Sequence, residues 1–157
     1  MRLISGIKDT MIIDDSYNSS PVAAEVALQT LKKVEAKRKI VALGDMRELG
    51  SYAKEEHQKL GKSVATVADI LITVGPLSRD TVQGALDAGM DEKNIFQFDD
   101  SQKAGKFLET ILKEGDIVLV KGSQNTIFME RLVLEIMKHP ERAEELLVRQ
   151  EEEWNGR

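Results

Sequence analysis

Short apolar runs recur along the chain, and segments whose apolar positions return at helical spacing lie between them. The runs are "TMIID", "KIVALGD", "ILITVG", "NIFQFD" and "DIVLVKGS". Most are continuous rather than alternating, the pattern of strands buried on both faces. Before the first run, "RLISG" and the turn "IKD" complete a small hairpin. Ser20 followed by Pro21 marks a helix start, a hydroxyl N-cap with proline at the first helical position. Val22, Val26, Leu28, Leu31 and Val34 give that helix its apolar side; Leu60, Val64 and Val67 do the same for "YAKEEHQKLGKSVATVAD". "SRDTVQGALDAG" predicts a helix stopped by Gly89, and "SQKAGKFLETILKEG" one capped by Ser101 and ended by Gly115. "TIFMERLVLEIMK" supplies a further helix, with Met129 and Met137 as core fillers. In the tail, Ala143, Leu146, Leu147, Gln150 and Trp154 fall on one side of a helix expected from Pro140 to Trp154. Leu146, Leu147 and Trp154 are expected to face protein rather than water.

Strands alternating with helices predict an α/β fold: a doubly wound, mainly parallel sheet with helices on both faces, a small N-terminal hairpin and an extra C-terminal helix. Ligands of such sheets sit beyond the carboxyl ends of the strands. Three segments distant in sequence supply polar groups there. They are Asp14 and Asp15 in "DDSYNSSP", Asp45 in "LGDMRELG", and Lys121, Gly122 and Ser123 in "VLVKGSQN". Carboxylates at such an edge can hold Mg²⁺ or a ribose, and a lysine can neutralise phosphate charge. Each feature also has a local reading, since Asp and Asn side chains bond their own turns and Gly-Ser is ordinary loop chemistry. His57, inside a helix, is expected to pack or to lie at the surface rather than to catalyse, and His139 to enter the tail helix.

The chain of 157 residues is long enough for one domain with a real core. Its net charge of −5 argues against a nucleic-acid partner held by phosphate contacts. The absence of cysteine excludes disulfides, thiol catalysis and cysteine metal sites. No apolar run approaches a membrane span and no signal peptide is visible, so a cytoplasmic protein with no membrane partner is expected. A monomer is expected as well. There is no GxxxxGK[ST] segment and no GxGxxG after the first strand. Polar groups at a cleft edge without a phosphate grip are what one part of a composite active site would look like.

"DDSYNSSP", "VALGDMRELG" and "VLVKGSQNTIFME", in this order, resemble the C-terminal domain of the Mur ligases, in particular the branch that adds D-alanyl-D-alanine. The resemblance covers residues 1–137 and leaves 138–157 as a helical C-terminal extension. It implies a Rossmann-like fold. It also implies a place in an ATP-dependent ligase that joins D-alanyl-D-alanine to UDP-N-acetylmuramoyl-tripeptide through an acyl phosphate, in peptidoglycan synthesis. ATP and Mg²⁺ would be held mainly by a central domain, and the implied partners are the N-terminal and central domains of the same enzyme. By resemblance, Asp15 takes the acidic position that faces ATP, with Asp14 beside it, and Tyr17 and Asn18 lie against the nucleotide. Lys121, Gly122 and Ser123 match a loop beside the amino substrate, and Asp45 is a candidate on that same side. Asp15 and Lys121 are the candidate catalytic pair. Ser19 and Ser20 stand where the family has Ala and Asn, and Gln124 where Arg is common. The family's phosphate-reaching arginine counts back from Asp15 to a position just before Met1. This chain alone is therefore expected to be inactive.

Two rival readings use the same residues. A phosphoacceptor receiver domain shares the acid pair and the late lysine, but needs an acid where "ILITVGPLS" ends in Gly75 and Pro76. A non-catalytic interaction module would act through the tail helix.

Overall fold

The computed structural model describes residues 1–17, 19–122 and 126–148. The apolar runs assemble into one six-stranded sheet: β1 (Arg2–Gly6), β2 (Thr10–Asp15), β3 (Arg38–Gly44), β4 (Ile70–Val74), β5 (Ile95–Phe98) and β6 (Asp116–Lys121). Their spatial order is β1-β2-β6-β3-β4-β5. Only β1 against β2 is antiparallel; the other four pairings are parallel. The last strand thus returns to the middle of the sheet and separates β2 from β3.

Successive residues of a strand point to opposite faces, so each buried strand serves two cores. On one face α1 (Pro21–Lys33), α2 (Ala53–Ala65) and α3 (Ser78–Asp87) pack over Ile13, Val41, Leu43, Leu71 and Leu119. On the other, α4 (Ser101–Ile111) and α5 (Glu130–Ile136) cover Ile12, Ile40, Ile72, Val118 and Val120. This is the doubly wound, Rossmann-like α/β arrangement that the sequence predicts, with its N-terminal hairpin and a short C-terminal helix, α6 (Ala143–Leu146).

Several local expectations change. In α1 the Ser20 hydroxyl accepts from Ala23 N at 3.2 Å, as predicted. Its buried side, however, is Ala24, Ala27, Leu28 and Leu31, while Val22 is 76% and Val26 57% exposed. Alanines let the helix approach the sheet closely, so they mark the inner face and the larger valines fall outside it. The cap of α4 is Asp100, whose carboxylate accepts from Lys103 N at 2.8 Å; Ser101 is instead buried and donates to Phe128 O at 3.0 Å. That helix ends at Ile111, four positions before Gly115, and α5 begins only at Glu130, after Phe128 takes a positive φ of 52°. Met129 and Met137 are core residues as expected.

The tail helix is shorter than its periodicity suggests. A single 3-10 turn (Pro140–Arg142) leads into α6, and Leu147 is already extended, with φ −103° and ψ 154°. Leu147 is buried in the α4/α5 core and Leu146 packs against it, so both leucines do face the domain. Gln150 and Trp154 lie outside the described residues. Leu147→Ala should lower the stability of the chain by about 2 kcal/mol, the low end for a buried leucine because a terminal segment can relax. A denaturant titration showing no loss would mean that the tail is not part of the core.

Candidate functional site

The adjacent carboxylates of residues 14 and 15 separate because a strand sends neighbours to opposite faces. Asp14 follows Ile12 toward the α4/α5 face, and Asp15 follows Ile13 toward the other. The parallel pairing of β2 with β6 sets Asp15 directly opposite Lys121. Lys121 Nζ lies 3.0 Å from Asp15 Oδ2, with the lysine side chain 5% and the aspartate 23% exposed. The Met1 amino group stands 3.5 Å from the other carboxylate oxygen. A buried ammonium beside a part-exposed carboxylate offers solvent an acceptor whose charge is largely balanced from within.

Gly122 closes this contact. Its N–H donates to Asp15 O at 3.0 Å, extending the ladder, and a Cβ there would collide with the Ser16 backbone. Only glycine lets the two chain segments meet so closely. Tyr17 is 58% exposed beside Asp15. Asn18 and Ser123, the remaining candidates of these loops, lie outside the described residues, as does Gln124.

Asp14 serves its own turn: Oδ1 accepts from Ser16 N at 3.1 Å. Burial holds its carboxyl above the ordinary aspartate range; the Ser16 hydroxyl and amide pull it partly back, and Asp15 pushes it further up.

Asp45 is placed differently. It is fully buried, and both oxygens are committed to the start of α3. Oδ1 accepts from Ser78 N at 2.8 Å and from Ser78 Oγ at 2.7 Å, and Oδ2 from Leu77 N at 3.2 Å. The carboxylate thus caps a helix that has no cap of its own. Gly75 makes room: its φ is +113°, and a Cβ would lie 2.5 to 2.6 Å from the Asp45 carboxylate. The next residue is fixed as well, since Met46 N donates to His57 Nε2 at 3.0 Å while His57 Nδ1 lies 2.6 Å from Ala53 O. Those two bonds require the neutral ring with its proton on Nδ1. His57 packs, as expected, and "LGDM" is a staple joining β3 to α2 and α3. The sequence reading passed over Arg47, whose guanidinium donates to Thr126 Oγ1 at 3.1 Å and so links this segment to the loop after β6. Its position inside a motif was the available signal.

The edge therefore holds a buried lysine, a part-exposed carboxylate, a tight glycine turn and an exposed phenol, with a helix-capping acid behind. The family described as "Mur ligase, glutamate ligase domain" matches residues 1–124 of the chain. The chain belongs to this Mur ligase family. Among curated proteins, it is 28% identical over 130 residues to the UDP-N-acetylmuramoyl-tripeptide–D-alanyl-D-alanine ligase of Synechocystis, covering 83% of this chain. It is 31% identical over 121 residues to the ligase of the same name from Treponema pallidum, covering 75% of this chain. The chain spans only 28% and 26% of the lengths of these two relatives. Among solved structures, the MurF ligase of Thermotoga maritima, in complex with ADP, superposes with a TM-score of 0.69 and 31% identity, over 86% of this chain and 30% of that one. MurF from Acinetobacter baumannii, at 24% identity and a TM-score of 0.72, shares the fold over 85% of this chain and 29% of that one. Membership of the Mur ligases removes the receiver-domain reading. Among the described residues no helix is long and apolar enough to cross a membrane.

The raised Asp14 value gives a pH signature. The folded chain holds that proton at pH values where the unfolded chain has released it. The stabilising contribution is then complete in the ordinary aspartate range and below, and is lost as the pH climbs through the folded value. Asn keeps the acceptor for Ser16 N without a charge. Asp14→Asn should therefore gain stability over the parent chain as the pH rises to neutrality, read from urea titrations at several pH values. A difference that does not change with pH would contradict the burial argument.

Proposed function

We propose that the chain is the C-terminal domain of an ATP-dependent ligase that joins D-alanyl-D-alanine to UDP-N-acetylmuramoyl-tripeptide. The observation that carries this reading is the Asp15/Lys121 pair at the carboxyl end of the central strands, in a chain related to ligases of that name. ATP with Mg²⁺ supplies the phosphoryl group that activates the tripeptide carboxylate. In this proposal ATP and Mg²⁺ are held mainly by the central domain of the ligase. The residues present fit the sugar–base side of a nucleotide better than its phosphates. Asp15 is an acceptor for hydroxyls, and the exposed Tyr17 ring can lie against a base. Lys121, buried behind Asp15, keeps that carboxylate oriented and limits its repulsion of nearby phosphate.

Closing of this domain over the nucleotide would complete the site, with the N-terminal and central domains of the same enzyme as its partners. Gly122 belongs to the amino-substrate side in this proposal. Asp45 supports that side from within, because its carboxylate is engaged by α3. Taken alone, the chain lacks a phosphate grip and should form no ADP.

In the parent ligase, Asp15→Ala should lower turnover by at least about a hundredfold, the scale of a lost positioning or electrostatic contact. Lys121→Ala should act in the same direction and raise the KM for ATP, because it removes the support of Asp15. Unchanged turnover in Asp15→Ala would sink the proposal. A Lys121→Ala defect confined to D-alanyl-D-alanine would instead place the lysine beside the amino substrate.

A further inference from the structure

Strands β3 and β6 are parallel neighbours, with Leu43 opposite Lys121, so the segments that follow them leave the sheet side by side at its carboxyl end. Two points near β6 are fixed by firm contacts. Gly122, directly after the strand, donates to Asp15 O at 3.0 Å. Phe128, shortly before α5, accepts at its carbonyl from the Ser101 hydroxyl at 3.0 Å, and the Arg131 guanidinium lies 4.6 Å from its ring centroid. Thr126 falls between them and is exposed; its hydroxyl accepts from Arg47 Nη1 at 3.1 Å. Arg47 is exposed as well, but it rises from a fixed base. Its neighbour Met46 is fully buried with its N–H on His57 Nε2, and Asp45 is committed to α3.

Backbone strain flanks this contact on both sides. Glu48, directly after Arg47, has φ +62°, and Phe128, two positions after Thr126, has φ +52°. Side chains larger than that of glycine rarely adopt this left-handed region. They stay there only where the surroundings over-determine them, and such residues gather at functional sites. A guanidinium presents its donors in a rigid planar fork, so its bond to Thr126 sets direction as well as distance. Both partners are exposed and the acceptor is neutral. Breaking the bond therefore strands no buried charge and should cost the fold little. A contact that adds little to stability, yet joins two strained segments at the functional edge, is suited to placing one of them.

We propose that Arg47 is a positioning residue for the amino substrate: through Thr126 it holds residues 126–128 in place on the side of the edge where the incoming amine component binds. The inference rests on the placing of Gly122 on that side. In the whole 157-residue chain, Arg47→Met should move the backbone amide signals of Thr126 and Ile127 and leave the melting temperature where it was. Arg47→Lys, which keeps a donor, should move them less. In the parent ligase, Arg47→Met should raise the KM for D-alanyl-D-alanine by roughly three- to tenfold, the scale of one hydrogen bond. That rise should exceed any fall in kcat, and the KM for ATP should not follow it. Thr126→Val removes the hydroxyl and keeps the shape, so it should have the same effect, and Thr126→Ser should restore the parent value. The double variant Arg47→Met with Thr126→Val should be no worse than either single one. Effects that multiply in the double variant would overturn the inference, because Arg47 would then act without Thr126. So would unmoved amide signals, or a KM for D-alanyl-D-alanine that neither variant changes, and both results would leave the ligase reading standing. A parent enzyme that forms no product with D-alanyl-D-alanine would overturn that reading and this inference with it.

Discussion

The return of β6 to the centre of the sheet is the constraint on which the site depends. It separates β2 from β3 and, through a parallel register, sets Lys121 opposite Asp15 on the same face. Shifting that register by one residue would turn Lys121 to the other face and bring Val120 opposite Asp15. The hydrophobic alternation of β6 forbids the slip, because Leu119 and Val120 belong to different cores. The packing of the sheet interior and the geometry of the charged pair are therefore one requirement.

Behind the pair, a second acid does structural work. Asp45 follows β3 and bonds the first amides of α3, and Met46 beside it is bonded to His57 in α2. Two helices are thereby fixed to the carboxyl end of a central strand. A rigid frame suits a domain that must present an edge to a partner, since a contact misplaced by about an ångström loses most of its value. The hairpin adds the other boundary: running antiparallel, it guides the C-terminal extension to the place where β2 ends.

Much of this was legible in the sequence. The continuous apolar runs gave the parallel sheet, and the positions where those runs stop gave Asp14, Asp15 and Lys121 as neighbours on one edge. What escaped is long-range or fine in scale. An acid after a strand can equally face a ligand or a helix, and the partners of Asp45 lie 32 and 33 residues further on. The inner side of α1 was misread because hydropathy favours Val22 and Val26, whereas close approach to the sheet favours Ala24 and Ala27. The tail kept a helical period past Leu146, but the period cannot reveal that Leu147 leaves the helix to enter the core and that Arg2 takes up the last carbonyls.

The central claim is that Asp15 and Lys121 form a pair already assembled in the free domain. Lysine ammonium hydrogens exchange rapidly with water unless they are buried and bonded. A nitrogen-15 spectrum tuned to lysine side chains reads this directly. Lys121 should give a protected Nζ resonance that is lost or strongly moved in Asp15→Asn, in a chain that remains folded. Absence of that resonance in the parent chain, or its persistence unchanged in Asp15→Asn, would contradict it.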